Sequence, residues 1–357
     1  MTMLAAAAQS MFRMARPLIH ASDAESAHRA TIAALAMVPR ATAALTDDRL
    51  ASRVAGIDFP NPVGVAPGFD KDAQVPHVMP HFGFGAVEVG TLTPLPQVGN
   101  PPPRLFRLTE DRAVINRMGF NNGGLDAAVA RLTRLRRGGL VVPLGINIGA
   151  NKDSADRVLD YVTGLAATAH LADYVTVNIS SPNTPGLRAL QDKGALNALL
   201  DGVLGLRSAP AYDVPIFLKV APDLEPADID DIVDIAMRRG LDALIVSNTT
   251  ISRPMLSSCH AGEAGGLSGA PLRELAQRRI ADFYRASGGR IALIGVGGIF
   301  TADDAYARIR AGASLVQIYS AMVFEGPALA AKIAHGLSAL LERDGFASVA
   351  DAVGVDV

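Results

Sequence analysis

An α/β fold, a closed (β/α)8 TIM barrel with an N-terminal helical hairpin extension, is predicted by three features of the sequence. Short apolar runs alternate with polar or glycine-rich loops and helical stretches from about residue 62 onward. The runs are near-continuously apolar, as parallel strands buried on both faces require. There are eight of them, the number that closes such a barrel, and polar side chains gather just beyond each one, where barrels of this kind place their sites.

Residues 1–45 differ in pattern from the rest of the chain and form an expected extension of two short amphipathic helices. Met11, Phe12, Ala15, Leu18 and Ile19 make one apolar face, with a bend expected at Pro17. Ser22-Asp23-Ala24-Glu25 has capping-box spacing, and Ile32, Leu35 and Ala36 then recur at helical intervals until Pro39. Arg13, Arg16, Arg29 and Arg40 are among the polar residues of this pair. Such a hairpin either packs on the main domain or rests in a membrane interface.

Residues 46–357 form the expected barrel domain. Its strands are read at Val63–Ala66, Ala86–Val89, Val142–Ile148, Tyr174–Ile179, Ile216–Val220, Ala243–Ser247, Ile291–Val296 and Leu315–Ile318. Arg104–Met118 alternates in character and predicts an added hairpin. Arg131, Arg134, Arg136 and Arg137 read as a solvated helix face.

Composition narrows the function. Apolar residues make up 49% of the chain and charged ones 19%, which suffices for a large core. A net charge of −2 without a basic stripe argues against a nucleic-acid partner. The single cysteine, Cys259, excludes an intramolecular disulfide and fits a reducing compartment. Only His77 and His81 share helical ligand spacing, and Pro80 lies between them, so no metal site is expected. No apolar run is long enough to span a bilayer, and Leu4–Ala8 is too short for a secretory signal.

The strand ends carry the chemistry. Gly68, Asp70 and Lys71 follow the first strand, and Thr91 follows the second. Asn147 belongs to the third, Asn178, Ser181 and Asn183 to the fourth, and Lys219 to the fifth. Ser247, Asn248, Thr249 and Thr250 close the sixth. Gly295, Gly297 and Gly298 mark the seventh, and Tyr319 and Ser320 the eighth. Asn178–Arg188 is the densest of these segments, with amides, hydroxyls and an arginine on a backbone stiffened by prolines; a plain strand-to-helix turn uses the same residue types. In GVGGIFTADDA the glycines let backbone N–H groups approach an anion, and Thr301 is placed to cap the next helix.

Lysine is scarce, five against 28 arginines, yet Lys71 and Lys219 both fall at strand ends. Lysines among amides suit a planar, electron-rich ring such as a flavin or pyrimidine. The rival use is a Schiff base in an aldolase or phosphate-binding isomerase, which would give a colourless protein.

The segments NISSPNTPGLR, NRMGFNN (Asn116–Asn122), SNTT, GGLSG, IGVGGI and GASLVQIYS resemble those of dihydroorotate dehydrogenases of the membrane-associated, quinone-using class 2, in order and over essentially the whole chain. The resemblance implies one non-covalent FMN per chain and oxidation of dihydroorotate to orotate in pyrimidine synthesis. By the same resemblance Lys71, Asn116, Asn183, Asn248 and Thr249 hold the substrate, with Arg117, Met118, Gly119 and Phe120 beside Asn116. Asn178 would touch both substrate and flavin. FMN falls to Pro67, Gly68, Phe69, Asp70, Lys71, Thr91, Asn147, Lys219, Ser247, Gly269, Gly298, Tyr319 and Ser320, its phosphate to the glycine loops. Ser181 matches the base that removes the C5 proton. The soluble classes, using fumarate or NAD, place cysteine there and lack the helical extension.

The first loop has Pro67 and Phe69 where Ala and Leu are usual, and SNTT stands for TNTT, so small changes in FMN packing are expected. With neither presequence nor anchor, the resemblance implies a monomeric bacterial enzyme. It would lie peripherally on the cytoplasmic face of the inner membrane, with the hairpin admitting a membrane quinone.

Overall fold

A computed structural model describes residues 2–207 and 209–357, so Met1 of the expected extension and Ser208 lie outside it. Eight parallel strands close into one barrel: β3 (Val63–Val65), β4 (Ala86–Leu92), β7 (Leu144–Ile148), β8 (Tyr174–Asn178), β9 (Ile216–Val220), β10 (Ala243–Val246), β12 (Ala292–Val296) and β13 (Leu315–Ile318). They follow that order around the ring, with β13 pairing back onto β3. The predicted (β/α)8 architecture is therefore the observed one. The boundaries differ where backbone chemistry dictates. Pro143 has no N–H to contribute, so β7 begins at Leu144 rather than Val142. The second strand runs past Val89 to Leu92, through a register shift spanning Gly90, whose φ is +106°.

Side chains alternate between the barrel lumen and the surrounding helices. Val87, Val89, Ile146, Val175, Leu218 and Leu244 join the outer core, under the helices. Tyr174, Phe217, Ala243 and Leu315 share a second, inner core with Val54 and Phe59. Those last two come from the hairpin β1 (Ser52–Val54) and β2 (Ile57–Phe59), which packs against the N-terminal ends of the strands. Tyr174 and Phe217 stack at 4.4 Å, and a Cβ on Gly145 would fall 2.2 Å from the Tyr174 ring. That end is sealed by apolar packing, leaving the opposite end for chemistry.

Arg104–Met118 supplies the expected hairpin, β5 (Leu105–Leu108) and β6 (Ala113–Asn116). A third strand, β11 (Gly266–Gly269), pairs antiparallel with β6; its two glycines hide it from any strand pattern in the sequence. The Arg131–Arg137 face is only partly solvated. Arg131 donates to the Asp72 carbonyl, and Arg136 to the Leu171 carbonyl and the Asp173 carboxylate.

The extension is a helical hairpin, α1 (Met3–Ala21) and α2 (Ala24–Ala36). At 19 residues α1 is longer than expected and continues through Pro17. The anticipated Ser22–Glu25 box does not form. Asp23 caps α2 instead, accepting from Ser26 N–H at 2.8 Å, because Glu25 is drawn to Arg104 in a two-point pair at 2.7 and 2.9 Å. The hairpin is tied down further by Gln9, which donates to the Glu325 carbonyl and accepts from Ala328 N–H. The Arg107 guanidinium also donates to the His20 carbonyl at 2.9 Å. No helix among the described residues is long and apolar enough to cross a membrane.

Candidate active site

A cavity of about 730 Å³ opens over the C-terminal strand ends and continues beneath the hairpin. Its inner half is polar. Lys71, Thr91, Asn178, Ser181, Lys219 and Asn248 contribute side chains to it. Its outer half is apolar, with Met11, Phe12 and Ile19 from α1 and Leu35 from α2. Nearly every residue singled out from sequence lies on this wall: Pro67, Gly68, Phe69, Asn116, Met118, Gly119, Phe120, Asn183, Ser247, Thr249, Gly269, Gly298, Tyr319 and Ser320 are all there.

Asp70, Asn147 and Arg117 are among those that stand behind it. Asp70 is buried and caps its own loop, accepting from the Gln74 and Val75 N–H groups. Asn147 is fully buried beneath Asn178 and Thr91. Arg117 turns outward to Glu263 and lies over the Phe106 ring. Each meets the cavity only through its neighbours.

The floor is a hydrogen-bonded chain. Thr91 Oγ1 donates to Asn147 Oδ1 at 2.6 Å, and Asn178 Nδ2 donates to both Thr91 and Asn147. Asn147 Nδ2 donates to Glu88 at 2.8 Å, and that carboxylate also accepts from Tyr174 and, at 2.6 Å, from Gln317. Glu88 and Gln317 were missed in sequence. Both sit in apolar runs, AVEVG and LVQI, at lumen-facing positions. The polar residue at the inward parity of an otherwise apolar strand was the available signal.

The Asn178–Arg188 segment forms one wall. Ser180 Oγ donates to Asn178 Oδ1 and accepts from Asn248 Nδ2 at 2.9 Å. Ser181 Oγ accepts the Asn183 N–H at 3.2 Å and lines the cavity with its proton uncommitted. Asn183 Nδ2 donates to Asn116 Oδ1 at 3.1 Å, joining this wall to the β6 end. Arg188, noted in the sequence as this segment's arginine but given no role there, fastens the loop. Its guanidinium reaches the Ser180 carbonyl, the Asp223 carboxylate and the Thr249 carbonyl within 3.1 Å.

Two cations face the space. Burial pushes the Lys71 ammonium down to about 8, against the pull of Glu25, Asp72 and Asp70. Burial also lowers the pKa of Lys219, with Glu88 opposing. Lys219 has no hydrogen-bond or ion-pair partner among the described residues. On the apolar side His28 sits edge-on to Phe69 at 5.7 Å, and burial, with Lys71 adding to it, pushes it down to about 3.

These groups fit a planar, anion-bearing cofactor. Two buried oxygens on the wall, Thr249 Oγ1 and Gln317 Oε1, have no partner among the described residues, nor do the N–H groups of Gly297, Gly298, Tyr319 and Ser320. A Cβ on Gly269, at φ +96°, would stand 2.4 Å from the Arg112 carbonyl oxygen. Nothing larger than glycine fits there.

Comparison with known proteins agrees with this geometry. A profile described as dihydroorotate dehydrogenase matches residues 49–341. The chain belongs to the dihydroorotate dehydrogenase family. It is 68% identical over 354 residues to a dihydroorotate dehydrogenase (quinone) of Sphingopyxis alaskensis, covering 99% of each chain. It is 62% identical to one of Novosphingobium aromaticivorans, covering 96% of this chain and 99% of that one. The crystal structure of a dihydroorotate dehydrogenase from Eimeria tenella in complex with ferulenol is similar at 40% identity and a TM-score of 0.87, covering 93% of this chain and 95% of the other. The ligand-free enzyme from that organism gives 41% and 0.88, over 94% and 99%. The matched dihydroorotate dehydrogenase profile begins after the hairpin, but the two bacterial relatives are similar across it as well.

Proposed function

We propose that this chain oxidises dihydroorotate to orotate, as a step of pyrimidine synthesis, and passes the electrons to a quinone through one non-covalent FMN. The observation that carries this reading is the continuous cavity, polar at the strand ends and apolar beneath the hairpin. A water-soluble substrate and a lipid-soluble acceptor need those two environments within reach of one redox centre. The bacterial relatives carry the name dihydroorotate dehydrogenase (quinone), which fits both halves.

FMN, when bound, supplies the two-electron acceptor for the hydride that leaves substrate C6. Thr91, Asn178, Lys219 and Ser247 are placed to hold its ring, supported from below by Asn147, with Pro67, Gly68, Phe69 and the braced Asp70 loop alongside. Gly269, Gly298, Tyr319 and Ser320 offer the phosphate site. Lys219 brings an unpaired positive charge to where negative charge grows on reduction. Lys71 pairs with the substrate carboxylate, while Asn116, Asn183 and Asn248 present amides to its carbonyl and imide edges and Thr249 adds a hydroxyl. Met118, Gly119 and Phe120 close the pocket, with Arg117 bracing them through Glu263. Ser181 Oγ takes the C5 proton.

The outward side of α1 exposes Met3, Met11, Met14 and Leu18, an apolar surface suited to a peripheral seat on the cytoplasmic face of a bacterial inner membrane. The functional unit in this reading is a monomer.

The deciding experiment is anaerobic addition of dihydroorotate, followed by reoxidation with quinone, fumarate or NAD. Bleaching of a yellow protein and recovery by quinone alone is expected; a colourless protein, or recovery by fumarate or NAD, overturns the reading. Two variants refine it. Lys71 is charged only below about pH 8 in the free protein, so kcat/KM for dihydroorotate should fall as pH rises through that value. In Lys71→Arg that fall should vanish from the alkaline limb, and an unshifted profile would remove Lys71 as its source. Lys219→Ala should leave flavin reduction slow and weaken FMN binding, roughly tenfold for the lost charge. An unchanged flavin spectrum and affinity would argue against that placement.

A further inference from the structure

Arg308, in the helix Ala302–Arg310, is 1% exposed and the largest side chain that the fold buries completely. A guanidinium so placed usually has a carboxylate beside it. This one does not. It donates to the Gln277 side-chain oxygen at 2.9 Å and to the carbonyls of Val296, Gly297 and Arg273 at 3.5, 3.0 and 3.3 Å. Burial pushes it down to about 10, so at neutral pH it keeps its charge.

Two of these carbonyls, those of Val296 and Gly297, belong to the end of β12 and the loop after it. Arg273 holds the next one, with Nε donating to the Gly298 carbonyl at 3.2 Å. The loop peptides are trans, and in a trans peptide C=O and N–H point opposite ways. Three consecutive carbonyls drawn toward the two guanidinia therefore turn the N–H groups of Gly297, Gly298 and Ile299 the other way. All three residues line the cavity, and none of these N–H groups has an acceptor among the described residues. Left-handed φ values at Gly297 and Gly298, +107° and +72°, make this turn possible. The strand beside it is also shaped around the arginine, since a Cβ on Gly295 would stand 2.4 Å from Arg308 Cγ.

We infer that Arg308 is a positioning residue for an anion-binding nest formed by the Gly297–Ile299 backbone, fixing its N–H groups toward the cavity and placing a buried positive charge behind them. The ligand group is a phosphate monoester dianion, and the inference rests on the proposal that FMN binds in this cavity. Arg308 touches neither cofactor nor substrate. Its effect is confined to the phosphate end, which separates it from Lys219 at the ring end.

The test compares FMN with riboflavin, which has the same ring and no phosphate, by fluorescence titration of the full-length chain stripped of flavin. Arg308→Gln should raise the FMN dissociation constant roughly tenfold or more and the riboflavin constant less than about twofold. The ³¹P resonance of bound FMN should shift with the same variant. Arg308→Lys, which keeps the charge and loses the fork, should recover part of the affinity. Equal losses for both flavins would reduce Arg308 to a structural role and overturn the inference, as would an unaltered FMN constant. If Arg308→Gln does not fold, Arg308→Lys carries the same comparison: a smaller loss confined to FMN is expected, and an equal loss for riboflavin overturns it. A wild-type chain that binds neither flavin overturns the cofactor reading itself, and this inference with it.

Discussion

Ser181→Ala should bind FMN as the native chain does, yet reduce it with dihydroorotate more slowly by a factor of about 10² to 10⁴, the range general-base catalysis contributes. The selectivity follows from what Ser181 touches. Among the described residues its Oγ has one polar partner, the Asn183 N–H, and it is not part of the Asn178–Thr91–Asn147 chain that forms the floor. Removing the hydroxyl leaves Ser180, Asn248 and the Arg188 latch in place. A serine hydroxyl is a weak base, and among the described residues no carboxylate or imidazole accepts its proton. As Ser181 Oγ takes the C5 proton, its own hydroxyl proton must therefore pass to water within this polar pocket. Anaerobic stopped-flow following flavin absorbance measures the step directly. A near-normal reduction rate with intact FMN binding would remove Ser181 from its role.

Deleting residues 1–42 should do the reverse: flavin reduction by dihydroorotate stays within about twofold, while reoxidation by quinone falls by more than about tenfold. Arg104 and Arg107 face the hairpin, but the strand-end amides and lysines do not depend on it for their bonds. The apolar half of the cavity does, since Met11, Phe12, Ile19 and Leu35 leave with it. A quinone burying on the order of 100 Å² against those side chains would lose about 2.5 kcal/mol of binding without them. Rapid-mixing measurement of the two half-reactions separates the effects, and equal loss in both would sink the membrane-quinone assignment. Glu25→Ala offers a milder version, because it breaks the Arg104 pair that fixes α2 without removing either helix.

Much of this was legible in the chain. Parallel strands covered on both faces must be apolar throughout, so each of the eight left its mark, and loops that hold ligands must be polar. The capped helix after the seventh strand was readable too: Thr301 caps it as its position implied, and the structure adds the reciprocal bond from Asp304. Local competition was harder to see. Ser22–Glu25 has the right spacing for a box, but a distant arginine claims the glutamate and Asp23 becomes the cap.

The sequence by itself determined the barrel, the order of its strands and the list of groups at its rim, because periodicity and turn chemistry are local properties. Only the tertiary structure decided which of those groups face the cavity and which support it. Glu88 and Gln317 are separated by 229 positions and meet at 2.6 Å solely because the sheet closes on itself. Arg308 is read as one more helical arginine until its helix packs behind the β12 loop and its guanidinium meets three carbonyls. The hairpin could have lain anywhere on the surface. Its docking through Gln9, Glu25 and the Arg107–His20 contact makes one cavity of a polar site and an apolar entrance. Closure and packing create those contacts, and no window along the chain contains both partners.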